Sequence, residues 1–318
     1  MPLLEARRAM FPADQESPMT YRPLVATLTL FALGLAGCAP APEDAPAAEP
    51  TPAEEAAPAP TVSVEEIADG VHRFAYNNHR SLFIVTDDGV LATDPQSTAA
   101  AERYLEEIRR ITDAPIQYLV YSHHHGDHAS GGAVFGDDVT VVSHENVVGH
   151  LDEPGMEDVR APDETFADEM TLTIGDVDVE LAHLGHSETD SNLILHVPSR
   201  RLAFVVDTYL VGELPWRNMA SGDLDGWLAA LQTIAEYDVD QIVPGHGDEV
   251  GTTEHARELI EYLETLKAAV AERMADGQSL EEIQASLTLP EYAGWVRYDE
   301  HFGLNIEGVH RELSEQAQ

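Results

Sequence analysis

The densest chemistry in the chain is the run Ser122-His123-His124-His125-Gly126-Asp127-His128. Imidazole nitrogens and carboxylate oxygens are the donors that zinc, iron and manganese accept. In an extended or turning segment alternate side chains share a direction, so His123 and His125 can reach one ion. Asp127 and His128, past the bend at Gly126, can turn to a second. Three further donors lie downstream, each where an apolar run stops: His186 in Leu184-Gly185-His186-Ser187, Asp207 closing RLAFVVD, and His246 in Pro244-Gly245-His246-Gly247. Strand ends are where loops gather at the rim of a sheet to build a site. A merely histidine-rich surface loop predicts no such followers.

A pair of ions roughly 3.5–4 Å apart is suited to hydrolysis, because it lowers the pKa of bound water toward about 7 and takes up the charge that develops on a carbonyl oxygen. The segment Tyr209 to Met219 directly follows Asp207, so Tyr209, Trp216 and Arg217 are candidates for the substrate wall. For Trp216 core packing is the even alternative, and for Arg217 a solvated surface position. Asp94, after VLAT, reads as a hydrogen-bond acceptor that orients the motif loop. His124 alternates away from the ligand face. The remaining histidines read as surface or structural groups, with His79 and His301 able to reach the rim.

The elements that must hold these side chains are legible as periods. Thr61 to Asp94 shows short apolar runs broken by turn signals, the pattern of successive antiparallel strands. Thr98 to Ile111 is an amphipathic helix with Tyr104, Leu105, Ile108 and Ile111 as its stripe and Thr98 as N-cap, and a buried strand from Ile116 delivers the chain into the histidine run. Short strands resume at 139–143, 170–175, 177–184, 192–197 and 201–207, and helical patterns return at 225–237, 254–275 and 279–285. Two β-then-helix halves suit an α/β sandwich with two sheets face to face and helices outside.

These motifs, in this order from Val64 to Gly247, resemble the metallo-β-lactamase superfamily. The resemblance implies a four-layer αββα sandwich of two mixed sheets. It implies that His123, His125 and His186 bind a first metal, that Asp127, His128 and His246 bind a second, that Asp207 bridges them, and that Asp127 orients the nucleophile. The implied cofactor is two zinc ions, with iron or manganese as alternatives, and the implied reaction is hydrolysis of a small ester, lactone, thioester or β-lactam. An Asp at the bridging position resembles the glyoxalase II and lactonase branches more than true class B β-lactamases, many of which carry Cys or Ser there. Two rival readings use the same ligands: an iron-dependent oxygenase of the sulfur-oxidising type, and a non-catalytic envelope protein braced by metal.

The N-terminus carries a different message. Arg22 precedes the apolar run Leu24 to Ala36, which reads as a secretory signal and is too short to span a bilayer. It ends in Leu35-Ala36-Gly37-Cys38, which resembles the lipobox of bacterial lipoproteins; a conventional signal cleaved elsewhere is the alternative. The expected division is a signal peptide at 1–37, with Met19 as a possible start, an Ala/Pro-rich acidic tether at 38–60, and one domain at 61–318. Cys38 is the sole cysteine, so disulfides are excluded. The net charge of −41 in 318 residues, with Lys267 as the only lysine, excludes nucleic acid as a partner. Anionic lipid is repelled too, so membrane attachment is expected only through a lipid on Cys38, with the protein exported and a small molecule as its substrate. The oligomeric state is open on sequence.

Overall fold

The structure, a computed structural model, describes residues 59–317. The signal segment 1–37, Cys38 and nearly all of the tether fall outside the described residues. The first half of the domain lays down β1 (Val62–Ala68), β2 (Val71–Tyr76), β3 (His79–Val85) and β4 (Val90–Thr93) as antiparallel neighbours. Helix α1 (Thr98–Ile111) then carries the chain back to β5 (Ile116–Val120), which pairs parallel to β4. After the one-turn helix α2 (Gly126–Ala129) come β6 (Thr140–His144), α3 (Val147–His150) and β7 (Glu164–Phe166), with β6 and β7 continuing the parallel edge.

The second sheet begins with β8 (Glu169–Ile174), β9 (Val177–His183), β10 (Leu193–Val197) and β11 (Leu202–Val205), each antiparallel to the last. Helix α4 (Leu224–Ile234) crosses back to β12 (Gln241–Pro244), parallel to β11. Helices α5 (Thr253–Ala275), α6 (Leu280–Ser286) and α7 (Tyr298–Gln316) follow. Both sheets are therefore mixed, and in each a helix supplies the crossover that a parallel pair requires.

The period-two alternation of the strands sorts their side chains into layers. Leu193, Leu195, Leu202 and Phe204 face inward, where they meet Leu82, Ile84, Leu91, Val120 and Val142 of the first sheet. Ile194, Ala203 and Val205 face outward onto Trp227, Leu231, Leu259, Leu263 and Ile306 of the helices. On the other side Phe74, Phe83, Ala92 and Leu119 pack against Tyr104, Leu105 and Ile108 of α1. Strands buried on both faces read as near-continuous apolar runs, which is why β4, β10 and β11 are the least polar in the chain. The four-layer expectation matches this arrangement.

Two local features differ from expectation. The N-cap of α1 is Ser97, whose Oγ accepts from Ala100 N at 3.2 Å, and Thr98 is the first helical residue. The strands β7 and β12 are too short to display a period of their own. Among the described residues, no helix is long and apolar enough to cross a membrane.

Phe204 is 1% exposed between the two sheets. Phe204→Ala is expected to lower the unfolding free energy by about 3–5 kcal/mol in a urea titration, whereas Val148→Ala, at a 52% exposed position, changes it by less than about 0.5 kcal/mol.

Candidate metal centre

The donors converge at the C-terminal ends of the parallel strands. Asp94 follows β4, the histidine run follows β5, Asp207 follows β11, and His246 follows β12. The turn of α2 closes when His128 N donates to His125 O at 3.0 Å, and it swings Asp127 and His128 away from the line of His123 and His125. Gly245 lets His128 approach: an added Cβ there would stand 2.4 Å from Val206 and 3.2 Å from the His128 ring.

Two groups of donors result, each with its ligand-capable atoms within 4.8 Å of one another: His79, Asp127, His128 and His246 in one, and His123, His125, Glu188 and Asp207 in the other. Asp207 faces both. Its Oδ1 lies 3.0 Å from His246 Nε2 and 3.6 Å from His128 Nε2, and its Oδ2 lies 3.4 Å from His123 Nε2 and 3.9 Å from His125 Nδ1. The backbone of Asp207 is held at φ 59°, in the left-handed region that a non-glycine residue avoids unless its surroundings impose it.

Hydrogen bonds fix which ring nitrogens point inward. Asp94 is fully buried and accepts from Ser122 N and from Ser122 Oγ, both at 2.7 Å. Because that hydroxyl donates to Asp94, it must accept from His123 Nδ1 at 3.0 Å. His128 Nδ1 lies 3.2 Å from the same carboxylate and donates to it. Both rings are thereby left with a lone pair on Nε2, the form a metal binds. Asp94 thus has the orienting place expected of it.

Buried His123 Nε2, Glu188 Oε2 and Asp207 Oδ1 have no hydrogen-bond partner. A buried polar atom left unpaired costs about 1–3 kcal/mol, and three belonging to one cluster are best accounted for by a cation. His128 Nε2 and His246 Nε2 also face each other at 3.1 Å, a contact that needs a proton or a positive ion between the two lone pairs. The charge balance agrees. Burial opposes a charged His128, yet Asp207, Asp94 and Asp127 push its pKa up to about 10. Burial lifts Glu188 to about 7, with His125 pulling the other way. The pocket holds more carboxylate charge than its own imidazoles neutralise unless they take up protons, and bound metal ions replace those protons. The donor set fits metal ions.

One expected ligand is displaced. His186 is exposed, outside both groups, with Nε2 donating to the Ser221 carbonyl at 3.0 Å. Its backbone is pressed against α4, since a Cβ on Gly226 would stand 1.9 Å from His186 O. The next residues are tied by Ser187 N to Thr189 O at 2.9 Å and by Ser187 Oγ to Thr208 Oγ1 at 3.0 Å. That turn sends Glu188 inward, 3.7 Å from His125 Nδ1, into the place expected for His186. The other six expected ligands are brought together. His79 reaches the rim, where Nε2 lies 3.2 Å from Asp127 Oδ2 and the ring 4.6 Å from that of His246.

A cavity of about 610 Å³ opens over the centre, lined by Asp127, Asp207 and His246 on the metal side and by Leu210, Leu214, Met219, Trp216 and Arg217 opposite. Trp216 is 55% exposed, and the guanidinium groups of Arg217 and Arg297 lie 5.1 and 4.9 Å from its ring centroid. Tyr209 departs from expectation: it is fully buried in the core and its hydroxyl donates to Thr252 O at 2.9 Å. His301 packs edge-on against Trp216.

Comparison with known proteins places this architecture. The chain is 25% identical over 276 residues to a linear primary-alkylsulfatase of Pseudomonas sp., covering 69% of this chain and 52% of that protein. It is 26% identical over 192 residues to the 2,4-dinitroanisole O-demethylase subunit alpha of Nocardioides sp., covering 59% and 58%. The chain thus spans little more than half the length of these curated relatives. Among solved structures, a metallo-beta-lactamase from Pontibacter korlensis superposes with a TM-score of 0.57 at 24% identity, covering 64% of this chain and 99% of that one. The sec-alkylsulfatase Pisa1 from Pseudomonas sp. superposes with a TM-score of 0.66 at 16% identity, covering 79% and 50%. The profile of the metallo-beta-lactamase superfamily matches residues 77–246, more than half of the chain and the whole span from the β2–β3 turn to His246; the chain belongs to that superfamily.

Proposed function

We propose that this protein is a metal-dependent hydrolase whose two-metal centre is held by His123, His125, Glu188 and Asp207 on one side and Asp127, His128, His246 and Asp207 on the other. The observation that carries this reading is the set of buried, unpartnered donor atoms on His123, Glu188 and Asp207. Zinc is the expected metal, and the carboxylate of Glu188 in place of an imidazole hardens the donor set toward iron or manganese as well. Such ions, when bound, supply Lewis acidity and bring the ionisation of water into the neutral range.

The protein's own groups do the rest. Asp94 holds His123 and His128 in one tautomer and one orientation. His79 donates toward Asp127 and steadies that carboxylate at the mouth of the cavity, where it orients the attacking water. Trp216 with Leu210, Leu214 and Met219 offers an apolar wall, and Arg217 and Arg297 stand beside it for an anionic group. The substrates are small molecules with a hydrolysable ester- or ether-type bond. The names of the two curated relatives add alkyl sulfates and aryl methyl ethers to the carboxylic esters, lactones, thioesters and β-lactams. On sequence grounds the same proposal places the protein in the cell envelope, exported and anchored by a lipid on Cys38.

Metal analysis separates the two candidate donors: Glu188→Ala is expected to lose about one equivalent of bound metal, and His186→Ala to keep the full complement. The reverse result assigns the position to His186. Asp94→Asn is expected to weaken metal affinity by about 10–100-fold in a chelator competition, with little change in fold by circular dichroism. Turnover is tested with the metal-loaded protein against an alkyl sulfate, 2,4-dinitroanisole, a p-nitrophenyl ester, a homoserine lactone, S-lactoylglutathione and nitrocefin. Hydrolysis of at least one, lost in Asp207→Ala, is expected, and silence across the panel with a fully loaded centre overturns the reading.

A further inference from the structure

Strand β3 carries one side chain that its own pattern does not account for. Leu82 and Ile84 pack between the two sheets, and period-two alternation puts position 80 on the same face. The residue there is Arg80, and it is only 3% exposed. Burial pulls its pKa below the ordinary value while Asp248 pushes it up, and its Nε has no hydrogen-bond partner. A buried guanidinium with an unpaired donor is a poor way to stabilise a core, since an apolar side chain of similar volume is often neutral or better.

Its hydrogen bonds point to a different role. Nη1 donates to two backbone carbonyls, Asn77 O at 2.9 Å and His79 O at 2.8 Å. Both belong to the turn between β2 and β3, where Tyr76 pairs with His79 and Asn77 takes a left-handed φ of 53°. Nη2 donates to the Asp248 carboxylate; that side chain is 98% exposed, so the ion pair contributes little by itself. The turn is in turn stitched to the loop that carries His246. Arg80 N donates to Gly245 O at 2.8 Å and Gly247 N to Asn78 O at 3.3 Å, and His79 forms an isolated antiparallel bridge with His246. From that bridge His79 Nε2 reaches Asp127 Oδ2 at 3.2 Å.

We propose that Arg80 is a positioning residue of the metal centre. By clamping the β2–β3 turn it fixes the His246 loop and, through His79, the Asp127 side of the donor set, without a hydrogen bond to any of their side chains. This inference rests on the two-metal reading and adds an asymmetry to it. His123, His125 and Glu188 stand on the loops after β5 and β9, and among the described residues they receive no hydrogen bond from Arg80 or from the turn. Loss of the clamp therefore weakens one ion and spares the other.

The test follows the affinity of each ion by chelator competition on the zinc-loaded full chain. Arg80→Met fills the same space without the donors. It is expected to stay folded by circular dichroism, to bind one ion about 10–100-fold more weakly, and to bind the other as wild type does. Combined with Glu188→Ala, which removes a donor from the opposite side, it is expected to weaken the remaining ion by the same factor relative to Glu188→Ala alone. That comparison assigns the loss to the His246 side. If Arg80→Met does not fold, Arg80→Lys takes its place; it keeps the charge but not the planar fork of nitrogens, and a smaller loss at the same ion is expected. A folded variant that binds both ions as wild type does overturns the inference. Equal weakening of both ions also overturns it, since that is the mark of a merely structural residue. Wild type holding fewer than two ions overturns the two-metal reading and this inference with it, so the two failures are told apart.

Discussion

The constraint on which the rest of this structure depends is the placing of Asp207. Its carboxylate stands between two groups of donors and presents one oxygen to each. To do so it sits at the end of β11 with a left-handed backbone. Such a conformation costs on the order of 1–3 kcal/mol and persists only where packing over-determines it. Here the packing is Val206 between the sheets and Tyr209 in the outer core, on either side of the strained residue. The stability of the sandwich holds a carboxylate where the free chain would not put it.

The same trade recurs in the electrostatics. The chain carries a net charge of −41, and the centre gathers still more carboxylates into a buried site. Burial alone would drive them toward their neutral forms. His246 and His128 hold Asp207 ionised against its burial, whereas burial lifts Glu188 to about 7 and leaves His123 Nε2 without a hydrogen-bond partner. Metal ions held by these donors would concentrate positive potential within an otherwise acidic protein.

The fold delivers this arrangement economically. Each sheet has a parallel pair joined by a helix, and the loops at the C-terminal ends of those pairs supply Asp94, the histidine run, Asp207 and His246. Asp94 then couples its loop to the next one through Ser122, so the tautomers of His123 and His128 are set by one buried carboxylate.

What the sequence determined by itself was whatever depends on neighbours along the chain. Apolar periods define the strands and α1, strand ends locate the donors, and the spacing around Gly126 divides the histidine run between two directions. The layers followed because a strand apolar on both faces must be covered on both. Tertiary structure decided which donor of a loop faces inward. The sequence singled out His186 and passed over Glu188 two residues on; contacts with Gly226 and Thr208, distant residues that fix the path of the loop, turn Glu188 inward. Tyr209 and Trp216 divide in the same way, one drawn into the core by Thr252 and the other left on the cavity wall. Local pattern sets the direction of a side chain only while the backbone is regular; in a loop, contacts from elsewhere in the chain set it.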